Sequence, residues 1–188
     1  MKFLNCTKIT IILSLCLYSC ASTAAVRETR PFVYLTDSAK YVLLPPEDIE
    51  YTMDTAQHIS ASYGNQKYFL NAWIQADEAG MDMSLFNELG ANMGELSYRG
   101  GAVSFSSPVF PKTLKPEYIV ADFQLCFYNA PALKQALNDC GLFLEHTEAG
   151  RRVLSKDAVV IEIEKSSGSV RLVNHLRGYM YTLEGNFE

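Results

Sequence analysis

The sequence predicts a mainly β protein of the α+β class, with a curved antiparallel sheet or open β-barrel of roughly nine or ten strands and two inserted helices. Two observations carry the sheet. Apolar and polar residues alternate in short runs from about residue 57 to 107, and again from about 142 to 183. Gly, Asn, Asp and Ser clusters bound these runs, as they bound strands in a meander. A third observation carries the curvature. Between the two sets, Tyr118 to Tyr128 is apolar except for Asp122 and Gln124. A helix apolar on all sides must be buried on most of them, and a sheet that covers such a helix has to bend around it.

Taken in order, Lys40 to Leu44 is a short extended run that Pro45-Pro46 stops. Gln57 to Tyr63 alternates, and Gly64-Asn65 makes a tight hairpin turn. The next run is the clearest. Tyr68, Leu70, Ala72, Ile74 and Ala76 share one face, while Lys67, Phe69, Asn71, Trp73 and Gln75 share the other. The first face should line a core or cavity, and Phe69 and Trp73 imply that part of the second is covered. After Asp77 to Gly80, alternation returns with Met81, Met83 and Leu85, then with Gly94 to Tyr98 and Ala102 to Ser107.

Pro116 and Glu117 suit a first helical turn, where a missing N–H costs nothing and a carboxylate favours the helix dipole. Asn129 can cap a second helix that carries Leu133, Ala136, Leu137 and Cys140 on one face and ends at Gly141. Extended runs follow at Leu142 to His146, Arg152 to Leu154, Val159 to Glu164, Val170 to Asn174 and Tyr179 to Leu183.

The first twenty residues read as an export signal. Lys2 and Lys8 precede an apolar run from Ile9 to Leu17, too short for a bilayer, which needs about 20 apolar residues. It suits the h-region of a signal peptide. Leu17-Tyr18-Ser19-Cys20 then matches a lipobox, with Cys20 as the acylated residue and Tyr18 as its one departure. An ordinary cleavage site near Ser22-Thr23-Ala24 is the competing reading. The expected organisation is a signal peptide over 1–19, a lipidated tether over 20–39 and one open-barrel domain over 40–188. Ala21 after the cysteine resembles lipoproteins sorted to the outer membrane, which implies a lipid-anchored protein on its periplasmic face.

A formal charge of −5 with scattered Lys and Arg argues against nucleic acid. Arg151-Arg152, the adjacent basic pair, suits a solvated hairpin. Cys126 and Cys140 lie outside the leader; their spacing permits a disulfide and equally permits two buried thiols. His58, His146 and His175 are isolated and no CxxC or HxxxH spacing occurs, so no metal and no cofactor are expected. No Gly-x-Ser-x-Gly elbow or phosphate loop is present. Asp77, Glu78 and Asp82 crowd a turn, where carboxylates are solvated, and Glu162 and Glu164 share an outward strand face. No catalytic residue is expected.

Leu43-Leu44-Pro45-Pro46, Lys115-Pro116-Glu117 and Val170-Arg171-Leu172 with Arg177-Gly178-Tyr179, together with the lipobox and meander, resemble an uncharacterised family of bacterial lipoproteins. Its members are encoded in aryl polyene biosynthesis clusters. Asn87-Glu88-Leu89-Gly90, between two strands, is similar to the loop that LolB uses at the outer membrane, with Glu88 where LolB has proline. The resemblance implies a LolA/LolB-like open barrel, Leu89 as an apolar membrane-contacting tip, and a periplasmic lipoprotein carrier or acylated cargo as partner. Tyr68, Leu70, Ile74, Met83, Leu85, Phe105, Phe123 and Phe127 are the candidate lipid-binding lining; each is also an ordinary core residue by pattern. The expected function is binding or handing on a lipid or lipoprotein cargo, within aryl polyene lipid export. A scaffold lipoprotein of an envelope assembly is the alternative. An empty apolar interior would favour the first, and a packed one the second.

Overall fold

The computed structural model describes residues 30–186. Two short strands open it, β1 (Phe32–Tyr34) and β2 (Lys40–Val42), followed by a 3-10 turn at Pro46–Asp48. A first set of five strands comprises β3 (Met53–Tyr63), β4 (Gln66–Asp77), β5 (Gly80–Phe86), β6 (Asn92–Arg99) and β7 (Ala102–Ser106). Helices α1 (Pro116–Phe127) and α2 (Ala130–Asp139) come next. A second set of five closes the chain: β8 (Phe143–Thr147), β9 (Gly150–Ser155), β10 (Ala158–Ser166), β11 (Ser169–Asn174) and β12 (Tyr179–Gly185).

The two sets join into one antiparallel sheet of ten strands, ordered β7-β6-β5-β4-β3-β12-β11-β10-β9-β8. Each neighbour is the next strand in sequence except at the centre, where β12 pairs with β3 from Tyr179↔Tyr63 to Gly185↔Gln57. β7 and β8 do not pair, so the sheet is curved but not closed. The expected class and strand number hold. The β3–β4 turn has Gly64 at φ 56°, a left-handed value that glycine adopts at little cost.

Helix α1 fills the concave side: Val120 to Phe127 are all buried. Beside it lies the β1–β2 ribbon, paired Phe32↔Val42 to Tyr34↔Lys40. Val33, Leu35, Tyr41 and Leu43 of this region are each at most 2% exposed. This corrects the tether boundary, because the folded body takes in residues 32–39. Three alternating residues are too few to show a period, and the preceding Arg-Glu-Thr-Arg-Pro conceals them. Cys20 and the signal segment lie outside the described residues.

Gln124 joins ribbon to helix. Its Oε1 accepts from Tyr41 Oη (3.1 Å) and Leu44 N (3.0 Å), and its Nε2 donates to Leu44 O (2.7 Å). Tyr98 Oη of β6 donates to the same carbonyl at 2.7 Å. A buried amide that makes all these bonds fixes orientation without leaving a polar atom orphaned. At α2, the Asn129 side chain accepts from Ala132 N at 3.0 Å, the expected cap, and its Nδ2 reaches Asp48 O at 2.8 Å.

The C-terminus of α1 is closed from the sheet. Arg151 of β9 is buried, and its Nη1 donates to Tyr128 O (2.7 Å) and Leu125 O (3.4 Å). Its Nη2 meets Glu50 Oε2 at 2.9 Å. A cation here satisfies helix-end carbonyls and opposes their partial negative charge. The reading of Arg151-Arg152 as a solvated pair is therefore wrong for Arg151. Only Arg152 faces outward, where it pairs with Glu162.

Candidate functional site

Antiparallel connectivity sends alternate turns to opposite ends of the sheet. One end carries the turns β4–β5, β6–β7, β8–β9 and β10–β11; the other carries β3–β4, β5–β6, β9–β10 and β11–β12. The first is a polar rim. Asp77 Oδ1 accepts from Ala79 N and Gly80 N, Arg99 pairs with Asp82, and Lys165 and Arg151 flank Glu50. The second, apolar rim carries charges too (Lys67, Glu88, Lys156, Asp157 and Arg177), but most of the exposed large apolar side chains gather there. Tyr63, Tyr68, Phe69, Leu89 and Leu176 are exposed there, as are Val109 just after β7 and Phe143 at the start of β8.

Leu89 is the extreme case, at 92% exposed. A single exposed leucine is ordinary, but the loop beneath this one is fixed. Asn87 Oδ1 accepts from Leu89 N (3.0 Å) and Ala91 N (2.9 Å), while Asn87 N donates to Ala91 O and Gly90 N to Asn87 O, both at 3.0 Å. Gly90 sits at φ 77°, where a side chain would be strained. The asparagine thus acts as the internal partner of its own turn. It holds the leucine away from the sheet instead of letting it fold back.

Next to this loop the sheet is stepped. β3 and β4 pair along their whole length, from Met53↔Ala76 to Tyr63↔Gln66. The β4–β5 pairing starts only at Asn71↔Phe86. Gln66 to Leu70 therefore overhang β5 with one backbone edge unpaired by it, carrying Tyr68 and Leu70 on the concave face and Phe69 on the convex one. A cleft of about 530 Å³ lies nearby across β12, β3 and β4, with His58, Ser60, Phe69, Asn71, Glu184 and the loop's Glu88 among its walls. Phe69 and Trp73 are both exposed, so the expectation that this face is partly covered does not hold for them.

The expected lining set divides. Ile74, Met83, Leu85, Phe123 and Phe127 are at most 5% exposed and belong to the core that α1 completes. Phe105 is half-buried and packs on Phe110 at 6.0 Å between ring centroids. Tyr68 and Leu70 alone reach the overhang. None of the five buried side chains lines either of the two surface clefts, at Lys165 and at Phe69.

Under the apolar rim lies a polar group that pattern reading passed over. Asp122 of α1 is buried; its Oδ2 accepts from Tyr179 Oη at 2.8 Å, and its Oδ1 has no partner. Tyr179 Oη also accepts from Asn174 Nδ2 at 3.2 Å. Burial raises the carboxyl to about 7, against the opposing effects of the Tyr179 hydrogen bond and Arg177. One turn on, Cys126 Sγ lies 4.0 Å from Tyr181 Oη, and burial pushes its thiol up to about 12. Cys140 Sγ turns back to Leu137 O at 3.2 Å. The disulfide that the spacing allowed is not formed; both are free thiols.

A family model described as a protein of unknown function, DUF3261, matches residues 54–185. The chain belongs to this DUF3261 family. The match covers both rims, both helices and all ten strands of the main sheet, and stops short of the β1–β2 ribbon. No curated protein matches the chain. Among the described residues no cluster of His, Cys, Asp and Glu is suited to a metal, and no helix is long and apolar enough to cross a membrane.

Proposed function

We propose that this DUF3261 protein is an envelope lipoprotein, anchored through acylated Cys20, that engages a lipid or an acylated cargo on its apolar rim. The observation that carries the reading is Leu89, an apolar side chain presented to solvent by a loop that hydrogen-bonds internally. Burying one leucine is worth about 1.5–3 kcal/mol, and this residue forgoes that gain in the folded domain. Contact with acyl chains would recover it. The packed interior argues for contact at the surface rather than for carriage inside the sheet.

Leu89 would meet its lipid or acylated cargo at the end of the sheet opposite the β4–β5 and β6–β7 turns. The likeness to lipoproteins of aryl polyene clusters suggests that this cargo is an aryl polyene lipid, and that the membrane is the outer one.

A photo-crosslinker placed at Leu89 in the full chain should label an acylated peptide or phospholipid, while the same group at Glu78 on the polar rim should not. Equal labelling at both, or labelling at neither, would overturn the reading. Palmitate incorporation that survives Cys20→Ala would remove the anchor from it. A second reading, a scaffold lipoprotein, is favoured by the packed interior; it predicts that the Leu89 probe captures a protein side chain and no acyl chain.

A further inference from the structure

We propose that the cleft at the polar rim, beside Lys165, binds a phosphate group carried on a small organic ester. The argument starts from strand parity. On β10, Ile161 and Ile163 point inward and are at most 1% exposed, whereas Glu162 and Glu164 point outward to Arg152 and Arg171. Lys165 falls on the inward parity. It stands 5.7 Å from the centre of the Phe127 ring, at the mouth of the core.

Its charge is poorly matched. Glu50 Oε2 lies 4.0 Å from Lys165 Nζ, at the outer limit of an ion pair, and already receives Arg151 Nη2 at 2.9 Å. Two cations share one carboxylate, and its close contact goes to Arg151, which also serves the end of α1, and not to Lys165. Burial, followed by Arg151, lowers the lysine pKa against the opposing effects of Glu50 and Cys126.

A cleft of about 500 Å³ opens next to this ammonium. Ser166, Ser167 and Gly168 of the β10–β11 turn form one wall, and Tyr51 and Val170 form another. Burial followed by Glu50 raises the Tyr51 phenol, so at neutral pH it remains an O–H donor. An ammonium, two hydroxyls and a phenol are donors suited to the several oxygens of a phosphate. The Tyr51 ring and Val170 suit the carbon part of an ester. Free phosphoesters and lipid headgroups share this chemistry.

The test uses the full chain, isotope-labelled and followed by amide NMR. Inorganic phosphate, glycerol 3-phosphate and phosphatidylglycerol vesicles are added in separate titrations, with sodium chloride at matched ionic strength as control. Saturable shifts at Ser166, Ser167 and Gly168 are expected, weakened at least tenfold by Lys165→Gln and restored by Lys165→Arg. Response to the soluble esters identifies a free ligand, and response to vesicles alone identifies a headgroup. Ser167→Ala, on an exposed turn, tests the site without touching the core and should weaken binding about threefold. No saturable shift with any of the three, or binding unchanged in folded Lys165→Gln and Ser167→Ala, would overturn the proposal.

Discussion

At one end of the sheet, side chains meet partners inside the molecule: Arg151 closes α1, Asp77 closes its own turn, Arg99 holds Asp82. At the other end, Tyr63, Phe69, Leu89 and Leu176 meet solvent. Both ends grow from the same strands, so the difference does not come from the fold class. It comes from what each turn was given. The polar rim has groups whose bonds brace the fold, while the apolar rim withholds large side chains from a core that could have stabilised them. The proposed contact with a lipid or acylated cargo rests on that contrast.

The sharpest way to break the comparison is at Arg151. If the polar rim braces the fold, Arg151→Met should cost about 3 kcal/mol, because it strands the carbonyls of Leu125 and Tyr128 in a dry site and leaves Glu50 without its closest partner. The denaturant midpoint should fall with little change in slope. An unchanged midpoint would mean that the helix end finds other donors and that the rim is merely solvated charge.

Asp122 tests the opposite rim from beneath. Its carboxyl is raised from 3.8 to about 7 in the fold, so the folded state holds its proton more tightly than the unfolded chain. No penalty exists below the unfolded value. Stability falls as pH rises from about 4 to 7, and above 7 the loss is constant at no more than about 4 kcal/mol. Asp122→Asn should therefore stabilise the protein at pH 8, by about 2 kcal/mol once the new amide's own burial is counted, and give no gain at pH 4. Denaturant midpoints across that range check it; equal effects at both ends would show that the carboxyl stays ionised in the fold.

Much of this architecture was legible in the sequence because alternation survives wherever one face is buried. The Tyr68 to Ala76 run, the Asn129 cap and the apolar Tyr118 to Tyr128 helix each announced themselves through period or chemistry. The misses share a cause. Phe32 to Tyr34 is too short for a period, and the step at Asn71↔Phe86 depends on register, which one strand's sequence does not contain. Arg151 and Lys165 were readable by parity, two positions from Val153 and Ile163, but charge suggested solvent and outweighed position. For the lining set the limit is different: alternation identifies an inward face and is silent on whether α1 fills the space before it.

The smallest effect on stability should come at Leu89, and it is the most informative. A side chain that touches little of its own fold should be replaceable, so Leu89→Ser should shift the denaturant midpoint by no more than about 0.5 kcal/mol. The turn is held by Asn87 and Gly90, which the substitution leaves in place. The same change removes an apolar tip worth about 1.5–3 kcal/mol when buried, so capture of an acylated peptide, read by flotation or crosslinking, should weaken roughly ten- to a hundredfold. The two rims would then separate cleanly, with Arg151 governing stability and Leu89 governing attachment. If Leu89→Ser destabilised the fold and left attachment intact, that division would be wrong, and the exposed leucine would be part of the structure's own packing after all.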